Sequence, residues 1–261
     1  MVQQIRLELP RLGTRKLHHI LQTPLKEIGV GRDRLFTILR ANHMLIEPKR
    51  SYHITTDSHH RFRKHKNTAK GLPLVKPEQL WVSDITYVGN RKNPMYLALV
   101  TDAYSKKIMG YDTSSSLSAI GSVRALRMAI KNRKYDCQLL HHSDRGLQYC
   151  GGDYQSVLNK YTINCSMTEA YDPYENAVAE RVNGILKQEF LGYTNKLDLK
   201  TMQELVADSV IRYNTKRPHY SCYYKTPEQM HKQKTIKIKT YKSKRLSNDI
   251  ITESLNVILQ P

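Results

Sequence analysis

Three acids separate themselves from the other carboxylates of this chain by where they fall. Asp84 interrupts an apolar, β-branched run, LWVSDITYV; Asp144 follows directly on the apolar stretch QLLHH, inside HHSDRGLQY; Glu180 lies in ENAVAERVNGILKQEF. Between Asp144 and Glu180 stand 35 residues. An ionised acid inside an apolar strand is costly without a partner. Several carboxylates brought together repel one another unless a cation neutralises them, and hard divalent ions such as Mg²⁺ suit all-oxygen donor sets. A pair of such ions can activate an attacking oxygen and stabilise a leaving one at a phosphodiester. Taken singly, each acid is as well explained by a hydrogen-bonded structural role. The order strand-Asp, strand-end-Asp, helix-Glu is what points to chemistry.

The elements that must position these acids are legible as patterns. On a wheel of 100° per residue, Lys187 falls about 20° from Glu180, Asn176 about 40° and Asn183 about 60°. Val178, Val182, Ile185 and Leu186 gather on the far side, so Glu175–Phe190 reads as a helix with one buried and one polar face. LWVSDITYV, PMYLALVTDAY and KKIMGYDT read as three strands of an antiparallel meander. A helix over 117–133, a strand over 138–142, a helix at YQSVLNKY, a strand over 163–167, the Glu180 helix and a helix over 198–214 follow. This order predicts an α/β fold, one mixed sheet with helices on both faces. Gly146 permits a tight turn that leaves Asp144 at a strand's carboxyl end, where ligands of such sheets sit. His141 and His142 read as strand-end packing.

Residues 12–50 read as two short helices, with TPLKEIGVG as the turn between them. The polar side of the second offers Arg32, Arg34 and Arg40, compatible with a helix-turn-helix whose second helix meets DNA. The expected division is a helix-turn-helix domain over 1–50, a basic linker over 51–76, a catalytic core over 77–195, and a C-terminal helix with a basic tail over 196–261. The tail segment 232–245 reads equally as an edge strand or a DNA-contacting extension.

Charge supports a polyanionic partner. The net charge is +19. Residues 1–70 carry 15 Lys/Arg against 5 Asp/Glu and residues 225–245 carry 8 against 1, whereas the middle is nearly balanced. Basic ends around a near-neutral centre suit nucleic acid. No apolar run approaches the roughly 20 residues of a membrane helix, and the N-terminus lacks a signal-peptide core, so no membrane association and a cytoplasmic location are expected. Four scattered cysteines predict neither a disulfide framework nor a His/Cys zinc site, and His59, His60 and His65 read as part of the linker.

These motifs carry a resemblance. WVSDITYV, HHSDRGLQY, YDPYENAVAERVNGILKQEF and YNTKRPHYSCYYKTPEQM together resemble the OrfB-type transposases of bacterial insertion sequences with two overlapping reading frames. The core of that family is similar to retroviral integrases, RNase H-like with a triad of two aspartates and a glutamate. The resemblance spans about residues 12–230 and departs from the usual pattern at Glu175 and Cys222. It implies that Asp84, Asp144 and Glu180 ligate two Mg²⁺ ions, with Mn²⁺ as a substitute, and that Lys187 contacts the DNA end. Arg145, Arg181 and Asn176, close to the acids, are further candidate DNA contacts. The implied activity is strand cleavage by water followed by strand transfer, carried out by an oligomer on DNA with the upstream-frame OrfA product or as a fusion with it, at the bacterial nucleoid. A DNA-binding regulatory subunit and an RNase H-like nuclease are the alternative readings.

Overall fold

The computed structural model describes residues 1–47, 64–89, 93–169, 176–192, 197–233 and 236. The first part of the expected linker, Glu175 at the head of the Glu180 helix and most of the basic tail lie outside these residues.

The meander forms as its alternation dictates: β1 (Leu80–Gly89), β2 (Pro94–Asp102) and β3 (Ile108–Ser114) pair antiparallel in sequence order. After helix α5 (Ala119–Lys131), strand β4 (Leu140–Ser143) returns parallel to β1, and β5 (Asn164–Met167) pairs parallel to β4. The sheet order is β3-β2-β1-β4-β5. Period two decides what each face meets. Trp81, Ile85, Ala98, Val100 and Met109 face α5 and helix α7 (Gly152–Lys160), in one buried cluster with Leu126, Tyr154 and Leu158. Val88, Leu97 and Leu99 face the opposite way, against helices α8 (Ala177–Ile185) and α9 (Leu199–Thr215). The expected mixed sheet with helices on both faces is the observed one.

The N-terminal region is richer in helix than its pattern predicted. Four helices occur there, α1 (Val2–Glu8), α2 (Thr14–Ile20), α3 (Gln22–Glu27) and α4 (Arg32–Ala41). The stretch expected to be a turn contributes α3, because Pro24 falls in its first turn, where a missing N–H costs nothing. The real turn is shorter, with Gly29 at φ +66°. Leu9, Leu12, Leu17, Leu21, Leu25, Leu35 and Leu39 form a separate small core. A short helix, α6 (Leu147–Cys150), also precedes α7 where only a turn was expected. The Glu180 helix does not run uniformly to Phe190: α8 ends at Ile185 and a π-helical turn, Leu186–Phe190, follows. Phe190 from that turn packs against both the sheet's helical layer and the N-terminal core.

The chain's closing segment is fixed by a buried polar cluster. Helix α10 (Pro227–His231) starts at a reciprocal cap, Thr226 accepting from Gln229 N while the Gln229 side chain accepts from Thr226 N, with Pro227 at the first position. Its last residue, His231, is fully buried between two fully buried acids, Nε2 at 3.2 Å from Glu78 Oε1 and Nδ1 at 3.5 Å from Asp102 Oδ2. Burial alone lowers the His231 pKa, but the hydrogen bonds of Asp102 and Glu78 outweigh it and raise it. A raised histidine stabilises the fold fully below the unfolded value near 6.5, and that contribution fades as pH climbs through the higher folded value. His231→Gln is therefore expected to lower the melting temperature most near pH 6, by an amount corresponding to roughly 2 kcal/mol. The gap to wild type should narrow steadily toward pH 9, and a gap independent of pH counts against the charged clasp.

Candidate active site

Two strands and one helix bring Asp144 and Glu180 near enough to act on the charge of Asp84. β1 pairs with β4 only over Leu80–Val82 and Leu140–His142, with partners 80↔140, 81↔141 and 82↔142. The same offset carried two residues further sets Asp84 level with Asp144, just where β4 has ended and its chain turns away. Asp84 is partly buried on the face shared with Val82 and Thr86, and Asp144 is partly buried at the turn, where its Oδ1 accepts from Gly146 N at 3.0 Å. A Cβ on residue 146 would meet that Oδ1 at 3.0 Å, so glycine lets the loop close over the carboxylate.

Helix α8 lies along β1 on the same face. Four helical residues rise about 6 Å and two strand residues about 6.5 Å, so helix positions four apart track strand positions two apart. Ala179 accordingly shares a cluster with Val82, Asn183 Nδ2 donates to Asp84 Oδ2 at 2.8 Å, and Lys187 Nζ donates to Thr86 Oγ1 at 3.3 Å. Asn176, at the head of the helix, is buried and donates through Nδ2 to Ser83 O at 3.0 Å, which ties α8 to the strand. Glu180 stands one position beyond Ala179 and is exposed, on the open side of the crevice.

The electrostatics of the site are those of a desolvated carboxylate with other acids near it. The Asp84 pKa rises to about 7, first through burial and next through the charge of Asp144; the Asn183 hydrogen bond opposes this and Glu180 adds to it. Desolvation also raises Glu180 and lowers Lys187, Asp84 acting on the lysine in the opposite sense. Asn183 Oδ1 and Asn176 Oδ1 are buried with no hydrogen-bond partner among the described residues. Among the described residues no three His, Cys, Asp or Glu side chains stand close enough to form a ready metal cage. The donors are all oxygens, and burial with neighbouring acids raises Asp84, so the set fits a hard divalent cation.

Other expected site residues fall as follows. Arg181 is exposed on α8 beside Glu180, and Arg145 is partly buried beside Asp144. Arg32, Arg34 and Arg40 are exposed on α4, Arg32 donating to Asp33 at 2.8 Å. His141 is fully buried, within 2.7 Å of Ser83 Oγ and 2.9 Å of Tyr154 OH, and burial followed by the neighbouring His142 lowers its pKa to about 3. His142 Nδ1 meets Ser166 Oγ at 2.9 Å; both histidines pack the strand end. All four cysteines are free, and no helix among the described residues is long and apolar enough to cross a membrane. The sequence pattern alone does not single out the Asn183–Asp84 bond or the role of Thr86. Their signal lies in the matched periods, Asp84-x-Thr86 on the strand and Asn183-x-x-x-Lys187 on the helix.

Comparison with known proteins places this geometry in context. A family described as Integrase core domain matches residues 75–173, and a second with the same description matches 161–227. The chain is 33% identical over 211 residues to the insertion element IS600 uncharacterized 31 kDa protein of Shigella sonnei, covering 79% of this chain and 76% of that protein. It is 34% identical over 177 residues to transposase InsF for insertion sequence IS3fB of Escherichia coli (strain K12), covering 63% of this chain and 62% of that one. Among solved structures, the simian T-cell lymphotropic virus intasome in complex with PP2A regulatory subunit B56 gamma contains a chain that superposes with a TM-score of 0.54 at 20% identity. The match covers 88% of this chain and 78% of that one, a likeness of fold.

Proposed function

The chain belongs to the insertion-sequence transposases that carry an integrase core domain, and on that premise we propose that Asp84, Asp144 and Glu180 are its catalytic carboxylates for DNA strand cleavage and strand transfer. The observation that supports this reading is the level placement of Asp84 on β1 and Asp144 just past the end of β4, with α8 bringing the Asp84 partner Asn183 against the same strand and Glu180 beside it.

In this reading the three carboxylates hold Mg²⁺, or Mn²⁺ in its place, as two ions. When bound, these supply the Lewis acidity that activates water or a 3′-hydroxyl and stabilises the leaving oxygen. The protein's own residues do the rest. Asn183 fixes the Asp84 carboxylate through Oδ2. Gly146 N holds the Asp144 carboxylate through Oδ1. Lys187, held at the crevice by Thr86, presents an ammonium to the phosphate backbone, with Arg145 and Arg181 at the rim. The exposed arginines of α4, Arg32, Arg34 and Arg40, extend the basic surface along the DNA. Two element ends must be joined, so the active form is an oligomer on DNA, working with the upstream-frame OrfA product or fused to it.

A supercoiled plasmid that carries the gene with its flanking DNA, incubated with the purified chain and with an OrfA fusion, provides the test. Strand breaks at the flanks and joined products are expected with Mg²⁺ and not with EDTA. Tight DNA binding by both forms, with no metal-dependent product from either, would overturn the enzymatic reading in favour of a regulatory subunit. Cleavage confined to RNA–DNA hybrids would indicate a nuclease.

A further inference from the structure

The joint between the N-terminal helices and the core holds more positive charge than its own carboxylate neutralises. Arg217 is 1% exposed and lies over the Tyr213 ring, its guanidinium carbon 5.7 Å from the centroid. Its Nε and Nη2 donate to Glu189 at 2.7 and 2.6 Å. Lys16, from α2, approaches the same Glu189 at 3.7 Å, so one carboxylate faces two cations. Arg181, from α8, adds its field at both Lys16 and His219. Buried Lys106 also acts on His219, and its ammonium donates to Ala103 O. Neither Arg181 nor Lys106 has a carboxylate at ion-pair distance among the described residues. Lys106 is buried, and buried cations ordinarily come with partners; Arg181 is exposed at the edge of the joint.

His219 marks where the partner belongs. It is 9% exposed, its Nδ1 meets Ser221 Oγ at 2.9 Å, and its Nε2 is buried with no hydrogen-bond partner among the described residues. Burial and then the surrounding cations, Arg217 foremost, press its pKa down to about 2, so the ring is neutral. Of the two neutral tautomers, the one in which the Ser221 hydroxyl donates to Nδ1 carries the ring proton on Nε2, a donor that adds no charge to a crowded cationic site. The walls are held firmly. Tyr224, at φ +61°, stacks on His19 of α2 with centroids 4.5 Å apart, and Tyr224 N donates to His219 O.

We propose that this joint is a phosphate-binding site in which His219 Nε2–H, Lys16 and Arg181 receive a backbone phosphate of DNA, seating one duplex across the N-terminal helices and the core. A phosphodiester suits it better than a protein carboxylate, because Arg181 adjoins Glu180 and the bound strand then continues toward the three acids. The inference rests on the transposase reading.

The test measures binding of a short mixed-sequence duplex to the full chain across a range of salt concentrations. Lys16→Gln, Arg181→Gln and His219→Phe are compared with Lys131→Gln, an exposed lysine at the end of α5, and folding is checked by circular dichroism. Arg181→Gln and Lys16→Gln are each expected to weaken binding several-fold at low salt and reduce the salt slope by about one. His219→Phe should weaken binding without changing the slope, since it removes a neutral donor, and Lys131→Gln should match wild type. If His219→Phe fails to fold, the two slope measurements decide. Wild-type slope and affinity in folded Lys16→Gln and Arg181→Gln would overturn the phosphate site and leave the transposase reading standing. A wild-type chain with no salt-dependent DNA binding would overturn both.

Discussion

Asp84→Asn is expected to abolish metal-dependent strand cleavage and joining, a loss of at least about a thousandfold, while making the metal-free protein more stable. Asp144→Asn and Glu180→Gln should match the loss of activity. The opposite movement of stability follows from the site's charge. A carboxyl whose folded pKa is raised to about 7 resists ionisation in the fold more than in the unfolded chain, where it titrates near 3.9. Its burden is nil below the unfolded value, grows as pH rises through that interval, and is complete above the folded value. Replacing Asp84 by Asn removes it, so the melting temperature measured in EDTA should rise more at pH 8 than at pH 5. Mg²⁺ offers wild type the same relief by supplying the counter-charge, at the cost of displacing a proton from Asp84. Its stabilising effect should therefore be larger at pH 8 than at pH 5.5 and much smaller in Asp84→Asn. Retained cleavage in any of the three variants would remove that residue from the site. An unchanged melting temperature in Asp84→Asn would refute this account of the buried Asp84 charge.

Gly110→Ala should produce the largest loss of stability from a single added methyl group. Gly110 lies in β3 opposite Val100, under α5. A Cβ there would stand 2.0 Å from Ala125 O and 2.6 Å from Ala129 N. Both are backbone atoms of the same helix, so no side-chain rotation relieves the overlap and α5 must move off the sheet. A glycine in a strand is intrinsically unfavourable, and it is tolerated here because strand and helix approach so closely. The expected cost is about 3 kcal/mol or more, a drop of roughly 10 °C in melting temperature. Urea denaturation measures it, and a change within about 0.5 kcal/mol would show that α5 does not require the contact. Because α5 covers the face opposite Asp84, metal-dependent activity per folded molecule should persist.

Asp84, Asp144 and Glu180 are legible in the amino-acid sequence because each breaks its local pattern: an acid inside an apolar strand, an acid at the end of another, an acid on the polar stripe of an amphipathic helix. The three-strand meander and the helices on both faces follow from periods of two and 3.6 residues. These are local properties, carried by a dozen residues at a time, and a local reading recovers them. The N-terminal region shows where such a reading weakens. α1 has no buried residue of its own and so no clear apolar stripe, and Pro24 in the first turn of α3 reads as a breaker when its position in the helix is unknown.

What only the tertiary structure decided is which distant groups meet. The parallel offset that sets Asp84 level with Asp144 depends on the α5 crossover, which returns β4 beside β1 through packing against the sheet rather than through any residue near either acid. The assignment of Asn183 to Asp84 and of Lys187 to Thr86 needs α8 to lie along β1, a matter of shape shared between two surfaces. The clasp of His231 by Glu78 and Asp102, and the approach of Lys16 to Glu189 at the joint with Arg217 and His219, bring together side chains more than a hundred residues apart. Each such pairing is offset by burial elsewhere in the chain, so no local pattern records it. The types and order of the three acids belonged to the sequence. Their approach, the raised protonation of Asp84 and Glu180 and the partners that hold them belong to the fold, because charge and desolvation act through space and not along the chain.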